Sequence, residues 1–294
     1  MLFDIRNIIF QELSSAMLDE KGIRLTVARL DKIHPVVSGN KLFKLHYFLE
    51  AFAAGSYSGI QTFGGAFSNH LVATAYACQQ LKIPCKGIVR GERPARLSHT
   101  LQQCSAYGMQ LEFVSREQYK ALADQQERTD NILTIPEGGY HPLGAKGASL
   151  IMDSIEEKNC PIFLPVGTAT TLAGILQKAA ASRQVTAIPV LKGFTDTGER
   201  LHLLNGQSSY NNLHVWDQYH FGGYAKSSPE LIAFMNELYR NYQLPTDFVY
   251  TAKMMFAVFD AIRNNVFAPQ TKLLCLHTGG LQGNDSLPQG SLIF

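Results

Sequence analysis

The stretch Ser38-Gly39-Asn40-Lys41-Leu42-Phe43-Lys44-Leu45 places a lysine directly after a Gly-Asn turn. Apolar residues then recur at helical spacing, which predicts an amphipathic helix whose apolar face contains Leu42, Leu45, Phe48 and Leu49. Lys41 would stand at the loop-to-helix junction, where its side chain can reach into a cleft. Burial there lowers the pKa of a lysine, so its amine can act as a nucleophile toward a carbonyl. A solvated helix cap is the alternative for such an Asn-Lys pair.

The composition limits the classes of protein to which this chain can belong. It has 294 residues, a formal net charge of +2 and 46% hydrophobic residues, which suits one large domain or two lobes. The balanced charge argues against nucleic acid or an anionic membrane surface as a partner. No run approaches the roughly 20 apolar residues of a membrane span, and the N-terminus lacks the apolar core of a signal peptide. We therefore expect a soluble cytoplasmic protein.

The cysteines and histidines indicate neither a disulfide framework nor a metal site. The five cysteines are scattered, odd in number and without a Cys-x-x-Cys pair, so free thiols are expected. His141 and His277 follow predicted strands, where a histidine can serve as an acid or base but more often has a structural role. The remaining candidates have no ligand spacing: His34, His99, His202 and His220.

Short β-rich runs alternate with helical stretches along most of the chain. A strand at 59–63, a glycine loop and a helix at 69–81 are followed by a strand at 85–89, and a later helix is predicted at 144–156. This alternation predicts an α/β fold with parallel sheets whose faces are covered by helices. Ligands of such sheets bind at the carboxyl ends of the strands, so the loops that follow the strands are the candidate sites.

Two strand-end loops have the composition of ligand-binding loops. In Gly64-Gly65-Ala66-Phe67-Ser68-Asn69-His70 the glycines allow close backbone approach, and the first N–H groups of the next helix suit a carboxylate. In Gly167-Thr168-Ala169-Thr170-Thr171 a glycine and several hydroxyls precede a helix, which is typical of a phosphate cradle. The second loop has neither the Walker pattern nor Gly-x-Gly-x-x-Gly. Ordinary N-caps are the alternative for both loops.

These segments, in this order, resemble the 1-aminocyclopropane-1-carboxylate deaminase and D-cysteine desulfhydrase family of pyridoxal-phosphate enzymes. The resemblance covers about Arg29 to Gly283. It implies the tryptophan synthase β-like fold (fold type II), an α/β architecture of two parallel-sheet lobes with the cofactor in the cleft between them. Besides the lysine segment and the two loops above, the matching motifs are the loop at 136–144, Val249-Tyr250-Thr251-Ala252-Lys253 and His277-Thr278-Gly279-Gly280.

The resemblance implies which residues bind pyridoxal 5'-phosphate. Lys41 would bind it covalently and act in catalysis, and Lys44 would help to hold its phosphate. Tyr250 would stack on the pyridine ring and also count among the catalytic residues, while Asn69 would contact the phenolic oxygen. The phosphate itself would lie in the cradle formed by Gly167, Thr168, Ala169, Thr170 and Thr171.

The resemblance also implies a binding site for a small amino-acid substrate. Ser68, as a catalytic residue, would bind the substrate carboxylate together with the amides of Asn69 and His70. Gly138, in the loop that matches the family's Ile-Pro-x-Gly-x segment, would border the substrate.

Two positions distinguish the two activities of this family. The deaminases carry glutamate after the stacking tyrosine and leucine within His-Leu-Gly-Gly, whereas the desulfhydrases carry threonine at both, and this chain has Thr251 and Thr278. A carboxylate near the ring nitrogen keeps the pyridine protonated and strongly electron-withdrawing, which opening a cyclopropane should require. Neutral hydroxyl partners favour expulsion of a thiol. We therefore predict D-cysteine desulfhydrase-like α,β-elimination to pyruvate, ammonia and sulfide, and the alternative is cyclopropane ring opening to 2-oxobutyrate and ammonia.

Phe221 departs from the family pattern. The family has a second active-site tyrosine in a Tyr-Gly segment, and the glycines of Tyr219-His220-Phe221-Gly222-Gly223 align Phe221 with it. Phe221 is thus expected in the substrate site, without a hydroxyl to transfer a proton or orient the substrate. This departure leaves open a catalytically silent pyridoxal-phosphate-binding protein. A nucleotide-binding oxidoreductase is disfavoured because its fingerprint is missing.

The resemblance finally implies how the chain is organised. Residues 1–45 and 142–294 would form a large cofactor-binding lobe, and residues 46–141 a smaller inserted α/β lobe. The assembly would be a homodimer.

Overall fold

Strands and helices alternate through most of the chain. The computed structural model describes residues 7–124 and 131–294. The strands are β1 Ile9–Leu13, β2 Arg24–Arg29, β3 Gly59–Gly64, β4 Cys85–Arg90, β5 Gln110–Val114, β6 Ile132–Ile135, β7 Ile162–Val166, β8 Val185–Pro189, β9 Leu213–Val215 and β10 Lys272–His277. The helices are α1 Ala16–Lys21, α2 Asn40–Ala54, α3 Asn69–Leu81, α4 His99–Ala106, α5 Arg116–Asp124, α6 Pro142–Ser149, α7 Thr170–Lys178, α8 Thr197–Asn205, α9 Pro229–Tyr242 and α10 Thr251–Arg263.

The described strands form two sheets. The six-stranded sheet has the order β1-β2-β10-β7-β8-β9, and the four-stranded sheet has the order β5-β4-β3-β6. Every pair in the smaller sheet is parallel, as the alternation of strands and helices predicts. In the larger sheet the edge strand β1 is antiparallel to β2. The short connection through α1 explains this exception, because parallel neighbours need a longer crossover.

Local signals explain the ends of the helices that flank the site. The Ser68 hydroxyl accepts a hydrogen bond from the Leu71 N–H and so caps α3, which ends at Lys82 in the left-handed conformation. The helix predicted at 144–156 is shorter and begins earlier, because Pro142 occupies its first turn and His141 caps it. After Ser149 the chain continues as a 3₁₀ helix, Leu150–Ser154.

The helices between the sheets approach each other closely at glycines. A side chain at Gly147 would collide with the Phe43 carbonyl of α2, and one at Gly174 would collide with the backbone of α6. These contacts pack α2, α6 and α7 into one apolar core with β7, which is buried throughout. Because α2 carries Lys41 and α7 follows the threonine-rich loop, this packing fixes both segments relative to each other. None of the helices in the described ranges is long and apolar enough to cross a lipid bilayer.

Gly39 joins the start of α2 to the end of β10. Its φ angle is +68°, and a Cβ atom there would overlap the Thr278 carbonyl, which also accepts a hydrogen bond from the Asn40 N–H at 3.1 Å. The contact brings the Lys41 segment against Thr278. Only glycine satisfies both the backbone angle and the close approach.

Gly39→Ala should therefore destabilise the protein more than Gly193→Ala, a matched control. Gly193 has a similar φ of +70° but nothing within 4 Å of an added Cβ. In the control, left-handed strain alone should lower the free energy of unfolding by about 1–2 kcal/mol. In Gly39→Ala, overlap of the new Cβ with the Thr278 carbonyl should lower it by at least about 2 kcal/mol more. Urea unfolding of both variants measures the difference. Equal losses would show that the contact with Thr278 relaxes without cost.

Candidate active site

A cleft of about 630 Å³ lies at the carboxyl ends of strands from both sheets. This is where ligands of parallel α/β sheets bind. The loops after β3, β6 and β7 line it, together with the start of α2 and the end of β10. The structure thus brings together most of the residues that the sequence singled out: Lys41, Lys44, Ser68, Asn69, His70, Gly138, Gly167, Thr168, Ala169, Thr170, Thr171, Tyr250 and Thr278.

Lys41 lies in the first turn of α2 with its amine in the cleft. Its Nζ donates to Asn40 Oδ1 at 2.7 Å, and Asn40 Nδ2 donates to Thr171 Oγ1 at 2.8 Å. Burial lowers the pKa of Lys41 to about 8, although the negative charge of Asp247 opposes the shift. A substantial fraction of this amine is therefore neutral near pH 8, which is the form that attacks a carbonyl.

Lys44 lies one turn further along α2 and is buried. Its Nζ donates to the Gly138 carbonyl at 3.0 Å, so it connects α2 to the loop after β6. Burial, and then the nearby charge of Lys41, lower the pKa of Lys44 well below its ordinary value. An anion bound in the cleft would relieve this unfavourable pair of like charges.

Two polar atoms at the start of α3 are buried without a partner in the described structure: Asn69 Oδ1 and His70 Nδ1. The Thr62 hydroxyl donates to the Ile135 carbonyl at 2.9 Å, so its oxygen accepts the bond from His70 Nε2 at 3.0 Å. Nε2 is then protonated, and Nδ1 is left as an acceptor. Burial and the charges of Lys41 and Lys44 lower the pKa of His70 to about 3, which keeps this ring neutral.

The loop after β7 has the geometry of an anion cradle. Ala169 adopts a left-handed φ of 64° immediately before α7, and no side chain caps this helix start. The first N–H groups of α7 are thus available to an anion and carry positive dipole character. The hydroxyls of Thr168 and Thr170 lie 2.9 Å apart beside them.

Tyr250 lies opposite this loop. A Cβ atom at Gly167 would approach Cε1 of the Tyr250 ring to 3.2 Å and the Tyr250 hydroxyl to 3.4 Å, so glycine at this position leaves room for the hydroxyl end of the ring. The Tyr250 N–H donates to Asp247 Oδ2 at 2.8 Å, which fixes the backbone at the start of α10.

Thr251 does not line the cleft. It is buried, and its hydroxyl donates to Asp247 Oδ1 at 2.6 Å. Asp247 also accepts from the N–H groups of Val249, Tyr250 and Thr251, so the carboxylate caps α10. Of the two threonines at the positions that distinguish the activities, Thr278 is the one that lines the cleft.

Phe221 also lies outside the cleft, contrary to the alignment on its neighbouring glycines. Its ring packs edge-on against Phe256, with 4.9 Å between ring centroids, in an apolar cluster. Tyr224 lines the cleft instead, and its ring meets Tyr250 at 6.0 Å and 75°. Tyr224 directly follows Gly222-Gly223. The sequence signal for it was therefore a Gly-Tyr pair, in which the glycine precedes the tyrosine, and not the Tyr-Gly pair of the family pattern.

Charged residues of the cleft that sequence reasoning missed are Arg90, Glu137 and Arg200. Arg90 and Glu137 form a half-exposed ion pair at 3.9 Å. Arg200 binds Asp196 at 2.7 Å and lies over the Phe194 ring. Nothing in the local sequence marks Arg90 or Arg200, because each reaches the cleft only through the packing of its strand or helix, whereas Glu137 lies in the 136–144 loop but was not singled out.

The histidines at 141 and 277 have structural partners. His141 Nδ1 accepts from the Leu143 N–H at 3.1 Å and caps α6. His277 is buried, with Nδ1 at 3.2 Å from Asp31 and Nε2 at 2.8 Å from the Pro245 carbonyl. Across residues 7–124 and 131–294 no three His, Cys, Asp or Glu side chains are grouped so as to hold a metal.

Residues 13–279 match the family described as pyridoxal-phosphate dependent enzyme. The chain is a member of this family. The enzyme is 29% identical to a Thermotoga maritima protein provisionally named 1-aminocyclopropane-1-carboxylate deaminase, over 90% of this chain and 92% of that protein. It is 25% identical to a D-cysteine desulfhydrase of Klebsiella pneumoniae, over 89% and 88% of the two chains.

A solved structure confirms the predicted fold. The crystal structure described as an ACC deaminase homologue superposes with a TM-score of 0.80 at 23% identity, covering 97% of this enzyme and 92% of that chain. The sequence-based prediction of a fold type II pyridoxal-phosphate enzyme is therefore confirmed, and the two relatives bear the names of the two predicted activities.

The residues of the cleft fit the cofactor of this pyridoxal-phosphate enzyme. Lys41 offers an amine with a lowered pKa, and the uncapped start of α7 offers N–H groups to a phosphate. The unpartnered atoms of Asn69 and His70 border the same space. Tyr250 offers an aromatic ring at the cleft beside Gly167.

Proposed function

We propose that the enzyme catalyses α,β-elimination from a small amino acid, with D-cysteine as the predicted substrate and pyruvate, ammonia and sulfide as products. The observation that carries this choice is that the predicted partner of the ring nitrogen, Thr278, is a neutral hydroxyl. Thr278 lies in the cleft, and the nearby Asp247 carboxylate is already occupied by backbone amides and the Thr251 hydroxyl. A weakly protonated ring suffices for a thiol leaving group but not for opening a cyclopropane.

Pyridoxal phosphate, when bound, supplies an electron sink for charge that develops at the substrate Cα. Lys41 would hold it covalently, with the phosphate at the threonine-rich loop of 167–171 and beside Lys44. Tyr250 would pack on the ring. These assignments follow the lowered pKa of Lys41 and the uncapped start of α7.

The chain's own residues would then bind and deprotonate the amino acid. Ser68 and the first amides of α3 would hold its carboxylate, because that helix start carries positive dipole character. The amine of Lys41, neutral after the substrate displaces it, would take the Cα proton. The hydroxyl of Tyr224, whose ring meets that of Tyr250 at the cleft, would donate a proton to the departing sulfur.

Cyclopropane deamination is the second candidate, and one observation favours it. Tyr224 restores a cleft hydroxyl that the Phe221 alignment had removed. The same observation removes the ground for a catalytically silent protein, since that reading rested on Phe221.

The test combines a spectrum with product assays on D-cysteine, L-cysteine and 1-aminocyclopropane-1-carboxylate. We expect visible absorbance from lysine-bound cofactor, and sulfide and pyruvate in equal amounts from D-cysteine. Release of 2-oxobutyrate from the cyclopropane substrate without sulfide from cysteine would establish the deaminase instead. No product from any of the three would reject both activities.

The organisation of the chain is also proposed rather than measured. We propose a large lobe of residues 1–45 and 142–294 and a smaller lobe of 46–141, and the four strands of the smaller sheet all fall within the second range. A homodimer is the assembly that the family resemblance implies, and the composition is the basis for proposing a cytoplasmic location. Light scattering on the purified protein measures the oligomeric state.

The pH dependence of cofactor attachment should follow the Lys41 amine. Because burial lowers the pKa of this group from 10.5 to about 8, the reactive neutral form makes up about half of the amine at pH 8 and nearly all of it above about pH 9. Stopped-flow mixing of apoenzyme with pyridoxal phosphate should show a rate of covalent attachment that rises with a midpoint near pH 8 and reaches a plateau above about pH 9. A rate that keeps rising to pH 10 would indicate an unshifted lysine.

A further inference from the structure

Lys253 is a fully buried lysine to which the proposed chemistry assigns no part. It lies near the start of α10, one turn after Tyr250. Its Nζ donates to the carbonyl oxygens of His220 at 2.8 Å and Gly223 at 2.7 Å. Burying an ammonium group is costly unless its hydrogen bonds are well made. The two carbonyls supply such bonds, and they connect Lys253 to one loop.

The loop that Lys253 contacts is strained. Phe221 and Ala225 both adopt positive φ angles, 50° and 53°, and the glycines between them have φ of 88° and 118°. Left-handed angles in non-glycine residues persist only where surrounding contacts impose them. Two contacts do so here: the Phe221 ring against Phe256, and the Lys253 amine on the loop carbonyls.

This loop presents Tyr224 to the cleft. Tyr224 directly follows Gly223, whose carbonyl Lys253 binds, and its side chain is 49% exposed, so packing alone does not hold it. Tyr250 stands at the start of the helix that carries Lys253. One lysine thus ties the loop of the first tyrosine to the helix of the second.

We infer that Lys253 is a positioning residue that holds the 220–226 loop so that Tyr224 meets Tyr250 at the cleft. The ammonium acts through the loop backbone and does not itself reach the substrate. The charge of Asp247 supports the protonated form of Lys253, while burial lowers its pKa to about 8.

Lys253→Met tests this inference, because methionine keeps most of the buried volume and removes the donors. In this variant the His220 carbonyl still accepts from the Gly223 N–H, and the Gly223 carbonyl still accepts from the Lys226 N–H. The variant should therefore fold. Lys226→Met is the matched control, since Lys226 is an exposed lysine of the same loop. Thermal unfolding of both variants checks that the fold is intact.

Hydrogen exchange is the first readout and does not depend on any substrate. In Lys253→Met we expect the amides of 220–226 to exchange at least about tenfold faster than in the parent, with α10 unchanged. The control should exchange like the parent. Unchanged exchange of the loop in Lys253→Met would overturn the inference, whether or not the proposed elimination is correct.

A double-mutant cycle is the second readout, and it rests on the proposed function. If Lys253 acts through Tyr224, then Lys253→Met should lower kcat about as much as Tyr224→Phe, and the double variant should be no worse than Tyr224→Phe alone. A lysine that only stabilises the fold would give losses that multiply. Multiplying losses would therefore reject the positioning role.

Discussion

Lys41→Ala should abolish turnover, with a loss of at least about 1,000-fold in kcat. The reason is that one amine is assigned both covalent attachment of the cofactor and removal of the Cα proton. Its position in the cleft, its bond to Asn40 and its lowered pKa all follow from the start of α2. Kinetics with D-cysteine, together with borohydride reduction and peptide mapping of the labelled lysine, measure both functions.

Lys32→Ala is the control for this experiment. Lys32 is an exposed lysine that precedes the same segment and does not line the cleft. The control should retain activity and the reducible label on Lys41. Turnover that survives in Lys41→Ala, or a label that maps to Lys44, would reject the assigned role of Lys41.

Tyr224→Phe should lower kcat by about 100-fold while cofactor affinity changes little. The hydroxyl faces the cleft at the Tyr250 ring and is not needed for the packing of the loop. A loss in kcat without a loss in cofactor binding separates proton transfer from assembly of the site. Steady-state kinetics and a titration of apoenzyme with pyridoxal phosphate provide the two measurements.

Tyr239→Phe serves as the control, because Tyr239 packs on Phe294 outside the cleft. It should leave kcat unchanged. Full activity of Tyr224→Phe would mean that another group protonates the leaving atom, and the Tyr224–Tyr250 contact would then have no catalytic role.

Where a segment's local signals agree with its burial, the sequence predicts its limits well. The helix predicted at 69–81 is α3, Asn69–Leu81, because Ser68 caps its start and its apolar residues face the core. The strands β1 and β2, Ile9–Leu13 and Arg24–Arg29, were not predicted. β2 begins and ends with arginine, and its Leu25 and Val27 are buried in a cluster that includes residues of the distant helices α9 and α10.

The residues of the cleft likewise divide into those that local sequence predicts and those that only the packed structure reveals. The sequence by itself determined that glycine- and hydroxyl-rich loops follow the strands, and that a lysine begins the helix after Gly39. These features need only backbone freedom, helix-start N–H groups and an amine, all of which are properties of residue type and order. Through the family resemblance that they carry together with the other motifs, they led to the predicted family, fold type and cofactor.

Only the tertiary structure decided which side chains of the remaining motifs face the cleft. Thr251 turns to Asp247, and Tyr224 rather than Phe221 reaches Tyr250. The direction of each side chain depends on backbone angles that distant contacts impose. For the Tyr224 loop, one such contact comes from Lys253, 30 positions along the chain from Gly223. No local pattern contains that contact, because it exists only once α10 has packed against the loop.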